Sequence, residues 1–157
     1  MNDRLKYIGY DIVFQEVPDE VSLAINVSGC PHMCEGCHST YLWEYKGNYI
    51  SEDLPVLIDK YKGLITCVCF MGGDQNQTEL FRLASYVKQN NMKTALYSGL
   101  DDVCLFGEGI KFFDYIKTGH YDQKRGGLDS KSTNQKMYST NPEIKDITYK
   151  FWNRSYK

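Results

Sequence analysis

Leu64-Ile65-Thr66-Cys67-Val68-Cys69-Phe70, followed at once by Met71-Gly72-Gly73-Asp74, is a nearly continuous apolar run ended by two glycines. A strand of a parallel sheet reads this way, because helices packed on both sheet faces leave neither face to water. Working outward gives the same unit on either side. Upstream, Val21, Leu23, Ile25 and Val27 alternate at period two until Ser28-Gly29, which predicts a strand over 21–27. Between the two strands, Ser51 reads as an N-cap with Glu52 and Asp53 in the first turn. Leu54, Leu57, Ile58 and Tyr61 then make the apolar stripe of a helix that stops at Gly63. Downstream, Thr78 can cap a second helix with Leu80, Leu83, Ala84 and Val87 as its buried stripe and Asn90-Asn91 as its stop. A short strand over 94–97 ends at Ser98-Gly99, a weaker helical stretch covers 101–106, and a strand over 112–117 ends at Thr118-Gly119.

This βαβαβαβ order predicts an α/β fold with a mostly parallel sheet and right-handed crossovers. Parallel strands point one way, so each segment that leaves a strand lies at the carboxyl edge, where such folds build their sites. Four segments qualify: Gly29 to His38, Met71 to Asp74, Ser98-Gly99, and Thr118-Gly119-His120. The polar, glycine-rich stretch from Gln123 to Gln135 reads as a loop over the same edge. Beyond a turn at Asn141-Pro142, Ile147, Tyr149 and Phe151 alternate with polar neighbours, which predicts a C-terminal hairpin or edge strand.

With 157 residues and neither repeat nor linker, residues 1–157 are expected to form a single domain. An apolar fraction of 42% and a charged fraction of 24% match ordinary globular usage, so a packed core is expected. The net charge of -2 and the scatter of basic residues argue against nucleic-acid binding. No apolar run approaches the roughly 20 residues of a membrane span, and no signal-like stretch opens the sequence. The expected location is the cytoplasm.

Six cysteines in such a chain call for metal or redox chemistry rather than disulfides. Three of them form C-x3-C-x2-C in Cys30-Pro31-His32-Met33-Cys34-Glu35-Gly36-Cys37, on the loop that leaves the first strand. Soft thiolates select zinc, Cu(I) or an iron–sulfur cluster. A structural zinc would take His32 or His38 as fourth ligand, whereas a 4Fe-4S cluster held by three cysteines keeps one iron open to a substrate.

C-x3-C-x2-C after one strand, with Gly72-Gly73-Asp74 after the next, resembles the radical S-adenosylmethionine enzymes. The resemblance implies a partial, open (βα) barrel, because a full eight-fold barrel takes about 250 residues. It implies Cys30, Cys34 and Cys37 as cluster ligands and the indispensable catalytic side chains. The open iron would chelate S-adenosylmethionine, and Gly72, Gly73 and Asp74 would receive its methionine amino group. Two glycines let a cationic ligand approach the backbone closely. Backbone around Gly36, Cys37 and His38 would line the adenine pocket, and Ser98-Gly99 joins these as a candidate contact. Many relatives carry an aromatic residue just before the third cysteine, where this chain has Gly36; His38 could stack on the base instead.

Within that superfamily, the short length, the run Gly29 to His38 and Ser132-Thr133-Asn134-Gln135 are similar to the activating enzymes of anaerobic ribonucleoside-triphosphate reductase. The likeness implies a one-electron donor such as flavodoxin or ferredoxin, a 5'-deoxyadenosyl radical, and a glycyl radical made on the reductase as protein substrate. Relatives often show Asp-x-x-x-Asp-Gly on the fourth strand. Here Thr118 replaces the second acid, and Lys117 or His120 could serve in its place. Two alternatives stand beside this one: a radical enzyme for another glycyl radical enzyme of the pyruvate formate-lyase type or for a small molecule, and a noncatalytic zinc module.

The remaining chemistry-bearing residues read as structural. Cys67 and Cys69 face one side of their strand and, with Cys104, are expected to pack. His32 is expected to shape the cysteine loop through a hydrogen bond. Trp43, Tyr45, Phe151 and Trp152 could either form a contact surface for a partner or close the small core.

Overall fold

The computed structural model of the chain describes residues 4–34, 36–37 and 39–152. Its framework is an eight-stranded sheet of β1 (Lys6–Val13), β2 (Ser22–Val27), β3 (Asn48–Tyr49), β4 (Cys67–Met71), β5 (Lys93–Tyr97), β6 (Tyr115–Thr118), β7 (Lys136–Ser139) and β8 (Lys145–Asp146). The spatial order is β3-β1-β2-β4-β5-β6-β7-β8. Two α-helices, α1 (Ile50–Tyr61) and α2 (Gln77–Gln89), and a 3-10 segment, Val103–Phe112, join the central strands. The 3-10 segment is broken at Gly107, whose φ of 53° belongs to no right-handed helix.

The architecture is mixed α/β, and the expectation of a mostly parallel sheet needs correcting. β2, β4, β5 and β6 are parallel, as their apolar runs predict. Outside them, β1 is antiparallel to both β2 and β3, and β7 is antiparallel to both β6 and β8. The reason lies in the connections. Residues 14–21 and 119–135 carry no helix, and without a crossover element the chain returns beside its last strand in the opposite direction.

Period-two alternation sorts the strand residues between two faces. Leu23, Ile25, Val27, Val68, Phe70, Leu96 and Ile116 meet the apolar stripes of α1 and α2, including Leu54, Leu57, Ile58, Leu80, Leu83 and Val87. Full burial of a side chain of this size stabilises by about 1.5–3 kcal/mol, so this face anchors the sheet. On the opposite face the register sets Ser22 beside Cys67, then Ala24, Cys69, Ala95 and Tyr115 in a second row. A third row, nearest the carboxyl edge, holds Asn26, Met71, Tyr97 and Lys117. Val17 packs on Cys67, Cys69 and Ala95 and closes the floor of this face. The loop that carries Val17 is tied down by the Tyr97 hydroxyl, which donates to the Glu16 carbonyl, and by Tyr115 Oη, which donates to Glu20 at 2.8 Å.

Some local expectations shift. The α2 cap is Asn76, whose Oδ1 accepts from the Glu79 N–H at 3.1 Å, and Thr78 lies inside the helix. Ser51 likewise falls inside α1, which begins after Tyr49. The expected hairpin is β7–β8, but 147–151 is not part of it. Thr148–Phe151 is a 3-10 turn that buries Thr148 and Phe151, three residues apart, on one side. Phe151 packs with Leu128, Met137 and Ile147, and Trp152 Nε1 donates to the Leu128 carbonyl at 3.0 Å. These two aromatic residues therefore close the small core. Among the described residues no helix is long and apolar enough to cross a membrane.

Candidate iron–sulfur site

The four strand-exit segments meet at one edge, as parallel strands require. They surround a cavity of about 200 Å3 whose wall includes Cys30, Cys34 and Cys37 after β2, Gly72, Gly73 and Asp74 after β4, Ser98 and Gly99 after β5, and Lys117 and Gly119 at the end of β6. Gln135 reaches the same wall from the long loop, and Val27, Leu42, Trp43 and Met71 supply apolar surface.

The cysteine loop is held by its backbone. The Cys30 N–H donates to the Leu42 carbonyl at 2.9 Å, and the Cys37 N–H to the Cys34 carbonyl at 3.1 Å. The Ser39 N–H points at Cys37 Sγ at 3.4 Å, a donor suited to an anionic thiolate. All three thiols are free and half-buried. Among the described residues no three His, Cys, Asp or Glu side chains are gathered for a single metal ion. A 4Fe-4S cube takes each thiolate at a different corner, so its ligands are spread apart, and three free thiols on one cavity wall fit it.

Asp74 is the hub of the edge. Its Oδ1 accepts from Ser98 Oγ at 2.7 Å, and its Oδ2 accepts from the Gly99 N–H at 2.9 Å and lies 2.6 Å from His32 Nε2. The carboxylate thereby joins the ends of β4 and β5 to the cysteine loop. The hydrogen bond expected of His32 is present, and its partner is the acid of the Gly-Gly-Asp segment. Gly99 permits the arrangement: a Cβ there would stand 2.5 Å from His32 Cδ2. Gly72 and Gly73 both have φ of 120°, a conformation that side chains disfavour, and a Cβ on Gly73 would press on Leu80 at 2.9 Å. The pair is thus demanded by packing as well as by access to the cavity.

Not every candidate joins the cavity. Gly36 is exposed and lies outside its wall; a Cβ at that position would stand 2.5 Å from Gln123 Oε1. Gln123 occupies the space where an aromatic residue would begin. His38 lies outside the described residues. His120 turns instead to Asp101, with Nδ1 at 2.8 Å from Oδ1, and these hydrogen bonds hold the Asp101 carboxyl below its usual range. Met33, at a positive φ of 46°, is exposed beside a groove of about 750 Å3 that the cysteine loop shares with residues 120–124.

Cys67 and Cys69 lie fully buried beneath the cavity, and burial pushes the Cys67 thiol up to about 12 and Cys69 well above its ordinary value. They are inert packing groups. Cys104 differs from expectation: it is exposed at the start of the 3-10 segment, where its N–H donates to the Asp102 cap at 2.9 Å. Sequence reading passed over Asn26 and Tyr97. Their signal is the alternation itself, since Leu23, Ile25 and Leu96 belong to the helix face and their neighbours must turn the other way. Trp43, assigned from sequence to a partner surface or the core, lines the cavity instead, with its Nε1 buried and without a partner among the described residues.

A family model for 4Fe-4S single cluster domains matches residues 20–137. The chain belongs to that family. The matched segment runs from the buried Glu20 to Met137 of β7 and so contains every cavity residue named above. Its cofactor is accordingly a 4Fe-4S cluster, and the three thiols on the cavity wall are the residues that could hold it. No curated protein and no solved structure matches the chain.

Proposed function

We propose that this 4Fe-4S domain is a radical S-adenosylmethionine enzyme with the partial barrel of that superfamily, and that it generates the glycyl radical of anaerobic ribonucleoside-triphosphate reductase. One observation carries the reading: the C-x3-C-x2-C loop and the Gly72-Gly73-Asp74 segment leave neighbouring parallel strands and share one cavity wall. In this reading Cys30, Cys34 and Cys37 are the cluster ligands, and S-adenosylmethionine lies against Gly72, Gly73, Asp74, Ser98 and Gly99, with the backbone at Cys37 toward its adenine. When bound, the cluster offers one electron and an open iron position, the chemistry that splits the sulfonium into methionine and a 5'-deoxyadenosyl radical.

The protein's own residues hold, orient and exclude. Asp74, 6% exposed, gives the cavity a negative charge at a fixed place because three donors restrain it, and an ammonium group is attracted there. Trp43 Nε1 offers a donor that has no partner among the described residues. Val27, Leu42 and Met71 keep water from a radical that water-borne reductants would quench. No acid or base is needed, since the radical takes a hydrogen atom from a glycine Cα and leaves as 5'-deoxyadenosine. The wide groove beside Met33 suits an acceptor presented on a polypeptide loop.

The test is anaerobic reconstitution with iron and sulfide, reduction, addition of S-adenosylmethionine, and chromatography for 5'-deoxyadenosine, with Cys34→Ala alongside. Product from the wild type alone supports the reading, and a glycyl radical signal after the reductase is added supports the partner. A fully loaded protein that yields no product with or without the reductase overturns it.

A further inference from the structure

Lys117 is the single lysine or arginine among the described residues that line the cavity. Its side chain runs from β6 into the row of Asn26, Met71 and Tyr97, and only 8% of the residue is exposed. Nζ donates to the carbonyls of Ser98 and Gly119, each at 2.9 Å, which fixes the ammonium between the ends of β5 and β6. Among the described residues no carboxylate lies within ion-pair distance of it. The nearest acid of the cavity, Asp74, is already engaged by His32, Ser98 and Gly99.

A buried cation with only neutral partners is costly unless negative charge faces it. Burial lowers the Lys117 ammonium to about 8, and the groups that oppose this fall are Asp74, Cys34, Cys30 and Asp101. Two of those four are thiols of the C-x3-C-x2-C loop. The lysine is thus built for a cavity that carries more negative charge than the side chains alone supply, and a thiolate-bound cluster is such a charge.

We propose that Lys117 is the counter-charge of the iron–sulfur cluster, a positioning residue whose fixed ammonium stabilises the added electron and so sets the reduction potential. The electron comes from an external one-electron donor, and Lys117 keeps its proton throughout. Net charge and hydrogen bonding around the sulfurs are established levers on such potentials, and in a dry cavity each charge counts for more than it would in water. The proposal rests on the cluster and its three cysteines, not on S-adenosylmethionine, so it stands or falls separately from the activase reading.

The experiment is a potentiometric titration of reconstituted wild-type, Lys117→Met, Lys117→Gln and Lys117→Arg proteins, with dithionite as reductant, no S-adenosylmethionine, and electron paramagnetic resonance as readout. Lys117→Met and Lys117→Gln are expected to carry full iron with a midpoint shifted to more negative potential, while Lys117→Arg stays near the wild type. Fully loaded Lys117→Gln at the wild-type potential would overturn the proposal. So would failure of all three variants, Lys117→Arg included, to take up iron, because that would make the lysine a structural strut alone.

Discussion

His32 Nε2 lies 2.6 Å from the Asp74 carboxylate, across 42 residues of sequence, and this contact joins the cysteine loop to the end of β4. A hydrogen bond to a charged group contributes about 1.5–3 kcal/mol. His32→Ala is therefore expected to destabilise the metal-free protein by about 1.5 kcal/mol, the lower end because the ring is partly exposed. Asp74→Ala, which strands three donors, should cost more. Urea denaturation measures both, and equal costs would show that Ser98 and Gly99 contribute nothing to the hub.

Gly99 and His32 should behave as one unit. The methyl group of Gly99→Ala would stand 2.5 Å from the His32 ring and drive it off Asp74. The double variant with His32→Ala is expected to cost less than the sum of the singles, with a coupling of about 0.5–3 kcal/mol. Additivity within error would place the glycine's role elsewhere.

Cysteine substitutions should divide cleanly. Replacing Cys30, Cys34 or Cys37 with Ala is expected to abolish iron uptake, whereas Cys67→Ala and Cys69→Ala keep the iron and lose about 1–2 kcal/mol of core stability. Brief alkylation of the metal-free protein at pH 8 should label the three loop thiols and Cys104. Cys67, with its thiol pushed up to about 12, should react only after unfolding.

Alkali should unfold the protein through its tyrosines. Burial and a hydrogen bond to Asp53 push the Tyr7 phenol up to about 12, and burial with a bond to Glu20 raises Tyr115. In the folded state these phenols hold protons that the unfolded chain releases near pH 10. Their stabilisation is complete below pH 10 and is lost as pH rises toward 12. Tyr7→Phe should flatten that decline, and an unchanged slope in a pH series of denaturation curves would contradict it.

The central strands and α2 were legible because burial on both sheet faces and a 3.6-residue stripe leave strong apolar patterns. β1 was not. A register irregularity between Tyr7 and Tyr10, with Gly9 at φ 77°, breaks its alternation, and much of the strand is only half-buried. Ile147, Tyr149 and Phe151 imitate a strand, but Tyr149 is 46% exposed and the burial of Thr148 and Phe151 follows a three-residue turn. The cavity's cysteines and glycines were legible because side-chain chemistry and position after a strand coincide. The bond from His32 to Asp74 was invisible as a pair, since neither residue's neighbours name the other. Lys117 stood out only as one of two residues that could serve where Thr118 replaces an acid, until the register set it beside Tyr97.

Val17, Cys67, Cys69 and Ala95 seal the floor beneath the cavity, with none more than 1% exposed. The pocket is therefore shut off on its sheet side, and its mouth lies among the strand-exit loops. Whatever enters has to pass those loops, and a spent ligand has to depart before a fresh one can take its place. A macromolecule seated across that mouth would trap the contents until it dissociates, and turnover would then follow the lifetime of the complex rather than the speed of any bond-breaking event within it.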